Sequence, residues 1–139
     1  MANPAPSAFD LGARAMTAQL TRLNTIASNV ANAGVMAGSS ETAYRALRPV
    51  FETAYTDATE SAGLATVDVV DIQRSEREVP RLLQPGNPLA DANGYLYLSN
   101  VDLSEELVDM VETSRQYQNT IEALNTTKSL MIATLRLAS

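Results

Sequence analysis

Both ends of the chain carry apolar residues at a seven-residue spacing, and this repeat constrains the fold more than any other feature. Near the N-terminus Phe9, Met16, Leu23 and Val30 form one row, and Ala13, Leu20 and Ala27 form a second row offset by four. Two such rows lie side by side on an α-helix, as the d and a positions of a coiled coil do. Near the C-terminus Leu103, Met110, Tyr117, Leu124, Met131 and Ala138 occupy d, while Leu107, Ser114, Ile121, Lys128 and Leu135 occupy a. Ser114 and Lys128 are polar members of that seam, and a lysine there can snorkel or set register. Small a residues in the first repeat allow close approach of a partner helix.

The ends of both helices are marked. Pro4 and Pro6 disfavour an earlier start, and Ser7 with Asp10 three residues on makes a capping box. The first helix is predicted over 8–33, stopping at Asn32-Ala33-Gly34. Asp102 with Glu105 makes a second capping-box signature, and no Pro or Gly interrupts residues 101–139. A helix over 102–138 is about 55 Å long, beyond the width of a small domain at roughly 30 Å. The shorter helix cannot cover the longer one, so part of the apolar stripe is expected to meet other subunits.

The middle, residues 44–101, holds Pro49, Pro80, Pro85 and Pro88 and reads as a small β-rich unit. Tyr44 to Tyr55, Val67 to Ile72, Val79 to Leu83 and Tyr95 to Leu98 are strand candidates. Pro85-Gly86-Asn87-Pro88 and Asp91-Ala92-Asn93-Gly94 are turn signals. Residues 34–43 and 56–65 read as mobile loops. The fold class expected is mainly α with a small β insert, the long terminal helices forming a coiled-coil-like pair. The chain divides into 1–43 (N-terminal helix and loop), 44–101 (β-rich middle) and 102–139 (C-terminal helix).

Composition removes most chemistry. The chain of 139 residues has no Cys and no His. Disulfides, thiol nucleophiles, Cys/His zinc sites and every triad built on His are therefore excluded. The net charge of −6 argues against nucleic acid as a partner. Glu105 and Glu106 read as first-turn acids favoured by the helix dipole, and Glu76 and Glu78, alternating with Arg74 and Arg77, as a solvated edge. Gly34 and Gly38 followed by Ser39 lack the Lys that ends a phosphate loop. No catalytic residue, metal ligand, cofactor or small-molecule substrate is expected. The N-terminus has no basic and apolar leader, and no run approaches a membrane span, so no cleaved signal peptide is expected.

Asn24, Asn29 and Asn32 crowd the first helix, although Asn is a mediocre helix former. They read as a solvated face or as amides that hydrogen-bond across packed helices and fix register. Met16, Met110 and Met131 at d positions suit an adaptable seam.

The stretch from Ala15 to Ala33 (AMTAQLTRLNTIASNVANA) resembles the N-terminal motif of bacterial flagellar axial proteins. Val101-Asp102, Glu105 to Met110, Ser114 to Gln118, Leu124 to Met131 and Thr134 to Leu137 resemble the C-terminal motif of the flagellar basal-body rod family, in its FlgC-type proximal-rod branch. Pro85-Gly86-Asn87-Pro88, Asp91 and Gly94-Tyr95 are similar to the same type, which usually has His where Asn87 stands. Tyr44-Arg45 matches the place where the family resumes after its variable loop.

The resemblance implies a non-enzymatic subunit of the periplasmic drive shaft that carries torque from motor to hook. It implies export through the flagellar type III apparatus without a cleaved signal. The implied partners are further copies of itself in a helical polymer, other proximal- and distal-rod proteins, and the FliE-type basal adaptor. The other short proximal-rod type, FlgB, and a soluble coiled-coil adaptor unrelated to flagella are the rival readings. Leu20, Leu23, Ala27 and Val30 are expected to face Met110, Tyr117, Ile121, Leu124, Met131 and Leu135, within or between subunits. Met16, Leu107 and Lys128 extend the same seams. Asn24, Asn29, Asn32 and Asn125 are expected to supply interhelical hydrogen bonds.

Overall fold

The computed structural model describes residues 7–54 and 65–138. Two helices and two small sheets make up the described chain. Helix α1 spans Ala8–Asn32, and β1 (Met36–Ala37) follows it. Then come β2 (Leu47–Ala54), β3 (Thr66–Arg74), β4 (Arg81–Leu83) and β5 (Tyr95–Leu98), and finally α2 (Leu103–Leu137).

The caps read from the sequence explain where the helices begin. Ser7 Oγ accepts from the Asp10 N–H, and the Asp10 carboxylate accepts from the Ser7 N–H, closing the box. At α2 the Asp102 side chain accepts from the N–H groups of Ser104 and Glu105. Here the box is only half made, because the Glu105 carboxylate turns away to Arg77. The end of α1 needs no left-handed residue: Ala33 is right-handed, and Gly94 is the one residue with positive φ among those described.

The strands depart from the sequence reading in instructive ways. β2 starts at Leu47 rather than Tyr44, and the segment before it bonds partly off the ladder. The Ala46 N–H donates to Asn100 Oδ1, the Ala46 carbonyl accepts from the Ser75 N–H, and the Tyr44 carbonyl accepts from the Asn100 N–H. β2 and β3 pair antiparallel, with a register shift between Val50 and Phe51. Pro49 is tolerated because a two-stranded ribbon is all edge. Segment 34–43, read as a loop, contains β1, which pairs antiparallel with β5. The second sheet has the order β1-β5-β4. The loop read at 56–65 lies outside the described residues except for Ala65, and so do Pro4 and Pro6.

Between β4 and β5 the Asp91 carboxylate accepts from the N–H groups of Asn93 and Tyr95 and from the Tyr97 hydroxyl. The Tyr95 N–H is the main reason its carboxyl is held below the usual range. Gly94 takes φ +81° at this turn, which a side chain rarely adopts. Among the described residues the buried apolar ones are few: Ala18, Ile26, Ala43, Ala46, Val79 and Leu96.

Both strands of the β2–β3 ribbon pack on α1, and α1 packs on α2. The two helices run antiparallel, since Asn29 of α1 meets Glu106 of α2 while Gly12 meets Leu124. α1 has 25 residues and α2 has 35, so α2 is longer by about 15 Å at 1.5 Å per residue.

Candidate functional site

The seam between the helices draws on only one apolar row of each helix, together with polar side chains. Among the contacts that cross it are Leu124 against Gly12, Gln19 Nε2 donating to Thr120 Oγ1 at 3.4 Å, Arg22 to Asp109 at 3.4 Å, and Asn29 to Glu106 at 3.1 Å. Buried positions agree with this, being Ala18, Thr25, Ile26 and Asn29 on α1 and Glu106 and Thr113 on α2. The inner rows therefore run 12, 19, 26 and 22, 29 on α1, one residue before the apolar rows 13, 20, 27 and 23, 30. On α2 the row Glu106, Thr113, Thr120 replaces Leu107, Ser114, Ile121. One residue is about 100° of rotation on a helix. That rotation brings small and polar side chains inward and carries one apolar row outward on each helix.

Each residue expected at a seam can now be placed. Met16, Leu23 and Val30 are half-buried at the flank of the inner face, while Leu20 and Ala27 are exposed. On α2, Met110, Tyr117 and Leu124 are half-buried, and Leu107, Ile121, Lys128, Met131 and Leu135 are exposed. Within the chain, then, Leu20 and Ala27 do not form a buried seam with Ile121, Met131 and Leu135. Among the asparagines only Asn29 bonds across the helices. Asn32 donates to the Ser28 carbonyl of its own helix, and Asn24 and Asn125 are exposed.

Asn29 is fully buried and uses its whole hydrogen-bonding capacity. Its Nδ2 donates to the Leu47 carbonyl at 2.9 Å and to Glu106 Oε2 at 3.1 Å. Its Oδ1 accepts from the Leu47 N–H at 2.8 Å and the Tyr44 hydroxyl at 3.1 Å. The carboxamide thus pairs with Leu47 as a neighbouring strand would, covering part of an open edge of β2. Asn100 does a similar service one residue earlier: its Oδ1 accepts from the Ala46 N–H at 2.7 Å and its Nδ2 donates to the Arg77 carbonyl.

Around this point three guanidiniums meet three carboxylates. Arg48 lies 2.8 Å from Glu106 Oε1, off the line of a hydrogen bond, so the contact is ionic. Arg48 also approaches Glu105 at 3.6 Å and Asp109 at 3.9 Å. Arg77 grips Glu105 with two bonds, 2.8 Å and 3.3 Å, and this holds the Glu105 carboxyl below its usual range and raises Arg77. Every carboxylate of the cluster has a cationic neighbour, so the cluster is charge-balanced within itself. Among the described residues no group of acidic side chains is placed to hold a metal ion, and no helix is long and apolar enough to cross a membrane.

Tyr44, Arg48, Asn100 and Glu106 are the residues the sequence reading missed. Glu106 looked like a first-turn acid. Its seven-residue spacing to Thr113 and Thr120 was the available signal that it faces inward.

What remains outward is apolar. On the first half of α2, Leu107, Val108 and Val111 are 47%, 66% and 55% exposed and line a shallow groove with Glu112 and Arg115. Farther along, Ile121, Leu130, Met131, Ile132, Leu135 and Leu137 continue the exposed surface. Apolar exposure of this extent is typical of interaction surfaces.

Comparison with known proteins agrees with that geometry. Residues 9–35 match the family described as flagella basal body rod protein. Residues 92–137 match the family described as flagellar basal body rod FlgEFG protein C-terminal. The flagellar basal-body rod protein FlgC of Yersinia enterocolitica is 45% identical over 93% of this chain and 94% of its own length. FlgC of Salmonella typhimurium is 43% identical over the same shares. FlgC of Aquifex aeolicus is 37% identical over 89% of this chain and 90% of its own.

Proposed function

The chain belongs to the FlgC family of flagellar basal-body rod proteins, and we propose that it builds the rod through the outward apolar faces of its two helices. It is a structural subunit of the flagellar basal body, not an enzyme. In this reading the Leu20–Ala27 row of α1 and the Leu107–Ile121–Leu135 row of α2 pair in a coiled-coil manner with neighbouring subunits. The neighbours are further copies of the chain, other proximal- and distal-rod proteins, and a FliE-type adaptor at the base. The chain reaches the periplasm through the flagellar type III apparatus, and the finished polymer transmits motor torque to the hook.

The observation that carries this reading is the division of labour between faces. Polar and small residues close much of the hairpin together with one half-buried apolar row on each helix, while Leu20 and Ala27 on α1 and Leu107, Ile121 and Leu135 on α2 lie exposed among the described residues. Leu135→Asp tests it. Leu135 is 70% exposed, so a charge there leaves the isolated fold close to wild type. In an assembled seam the same charge is buried without a partner and disrupts packing. Expected are an unchanged circular-dichroism melt for the purified chain and a loss of rods and swimming in cells. Normal swimming with full-length rods refutes the assignment of this face.

A further inference from the structure

We propose that Glu106 is a positioning residue for the β2 edge, acting through Asn29, so that docking of α2 sets the orientation of the amide that locks Leu47. The amide of Asn29 can sit in two orientations that differ by exchange of its oxygen and nitrogen. Leu47 needs the oxygen toward its N–H and the nitrogen toward its carbonyl. A carboxylate accepts and does not donate. Glu106 Oε2, 3.1 Å from Asn29 Nδ2, therefore favours that one orientation; the flipped amide would set two acceptor oxygens against each other.

Glu106 is itself fully buried, and Arg48 fixes its other oxygen at 2.8 Å. Arg48 belongs to β2, so the carboxylate touches the same strand twice: directly through Arg48 and indirectly through Asn29. Asn29 and Glu106 stand 77 positions apart in sequence. The start of β2 therefore gains its full set of bonds only when the C-terminal helix has been made and docked. The ribbon and the helical hairpin form one cooperative unit at this point, whereas Ala46, held by Asn100, is served by a separate amide.

Hydrogen exchange on the purified full-length chain tests the coupling through two adjacent amides. In Glu106→Ala the Leu47 amide is expected to exchange roughly tenfold faster, while the Ala46 amide changes by less than about twofold. Equal acceleration at both amides overturns the proposal, because that is the mark of general destabilisation. An unchanged Leu47 amide overturns it too. If the alanine variant does not fold, Glu106→Gln carries the same test: glutamine can present either end to Asn29, so orientation is no longer selected. Faster exchange confined to Leu47 is then expected, and an unaltered pair of amides counts against the proposal.

Discussion

Replacing Asn29 by alanine removes four hydrogen bonds at one stroke, and the structure says which of them matter. Tyr44 loses an acceptor but keeps the Ser28 hydroxyl at 3.1 Å, so its share of the cost is small. The Leu47 N–H and carbonyl lose their Asn29 partner together. Glu106 loses the donor on Oε2 and is left with the ionic contact to Arg48. A buried group stripped of its partner costs about 1–3 kcal/mol, and more when it is charged. Two backbone groups and a carboxylate then sum to at least about 3 kcal/mol, against a total of about 5–15 kcal/mol for an ordinary domain. With a urea dependence of about 1–3 kcal/mol per molar, the unfolding midpoint falls by at least about 1 M. Asn32→Ala is the internal control, because Asn32 is half-buried and bonds only its own helix. Its loss is expected to stay within about 1 kcal/mol. Equal midpoints for the two variants would refute the reasoning, since they would mean that water replaces the Asn29 amide without penalty.

Two further outcomes follow from the same seam. Thr113 is fully buried and its hydroxyl has no hydrogen-bond partner among the described residues, so Thr113→Val, of nearly equal shape, is expected to hold or raise stability by up to about 1 kcal/mol in the same denaturation assay. The Glu105 carboxyl is depressed chiefly by its Arg77 hydrogen bonds, so its contribution is present above the unfolded carboxylate range and is lost as pH falls through its lower folded value; the melting-temperature gap between wild type and Glu105→Gln should close at the acid end, and a gap that widens there contradicts the assignment.

The sequence made the helices legible because the relevant signals are local. Ser7, Asp10 and Asp102 are caps whose side chains reach two or three residues along the chain. Strand positions near Val67–Ile72 and Tyr95–Leu98 were legible for the same reason, as alternation and turn residues act over a few positions. The face each helix turns inward was not legible. Apolar rows are read as core by default, yet exposed apolar residues are common on folded proteins. Here Leu20 and Ile121 lie one helical step away from Gln19 and Thr120, which meet each other. That choice depends on the β2 edge, since Asn29 must reach Leu47 and Glu106 must reach Arg48. Contacts separated by that much chain leave little local trace, here only the seven-residue spacing of Glu106, Thr113 and Thr120. Three asparagines of equal appearance in sequence therefore divide into one buried hub, one helix-capped amide and one solvent-facing side chain.

The polar seam also explains how a chain with so few buried apolar residues suits assembly. If the heptad rows closed on each other within one subunit, the apolar surface would be satisfied before any neighbour arrived. A polymer would then gain little by burying it, because association draws its driving force from apolar area removed from water. Hydrogen bonds and ion pairs contribute modest net stability but fix geometry, since an unpaired buried partner is costly. Asn29, Glu106, Arg48 and Arg22 thus hold the two helices in one register at low net stabilisation. The rows through Leu20 and Ala27 on α1 and through Leu107, Ile121 and Leu135 on α2 then keep a fixed spacing toward the outside. Fixed spacing is what a rigid polymer requires of its subunits, and in the proposed assembly the outward apolar rows make joining favourable. The length difference between the helices acts in the same direction. The turns of α2 beyond Leu124 carry Leu130, Ile132, Leu135 and Leu137, the last 90% exposed, and no described residue of the chain buries them.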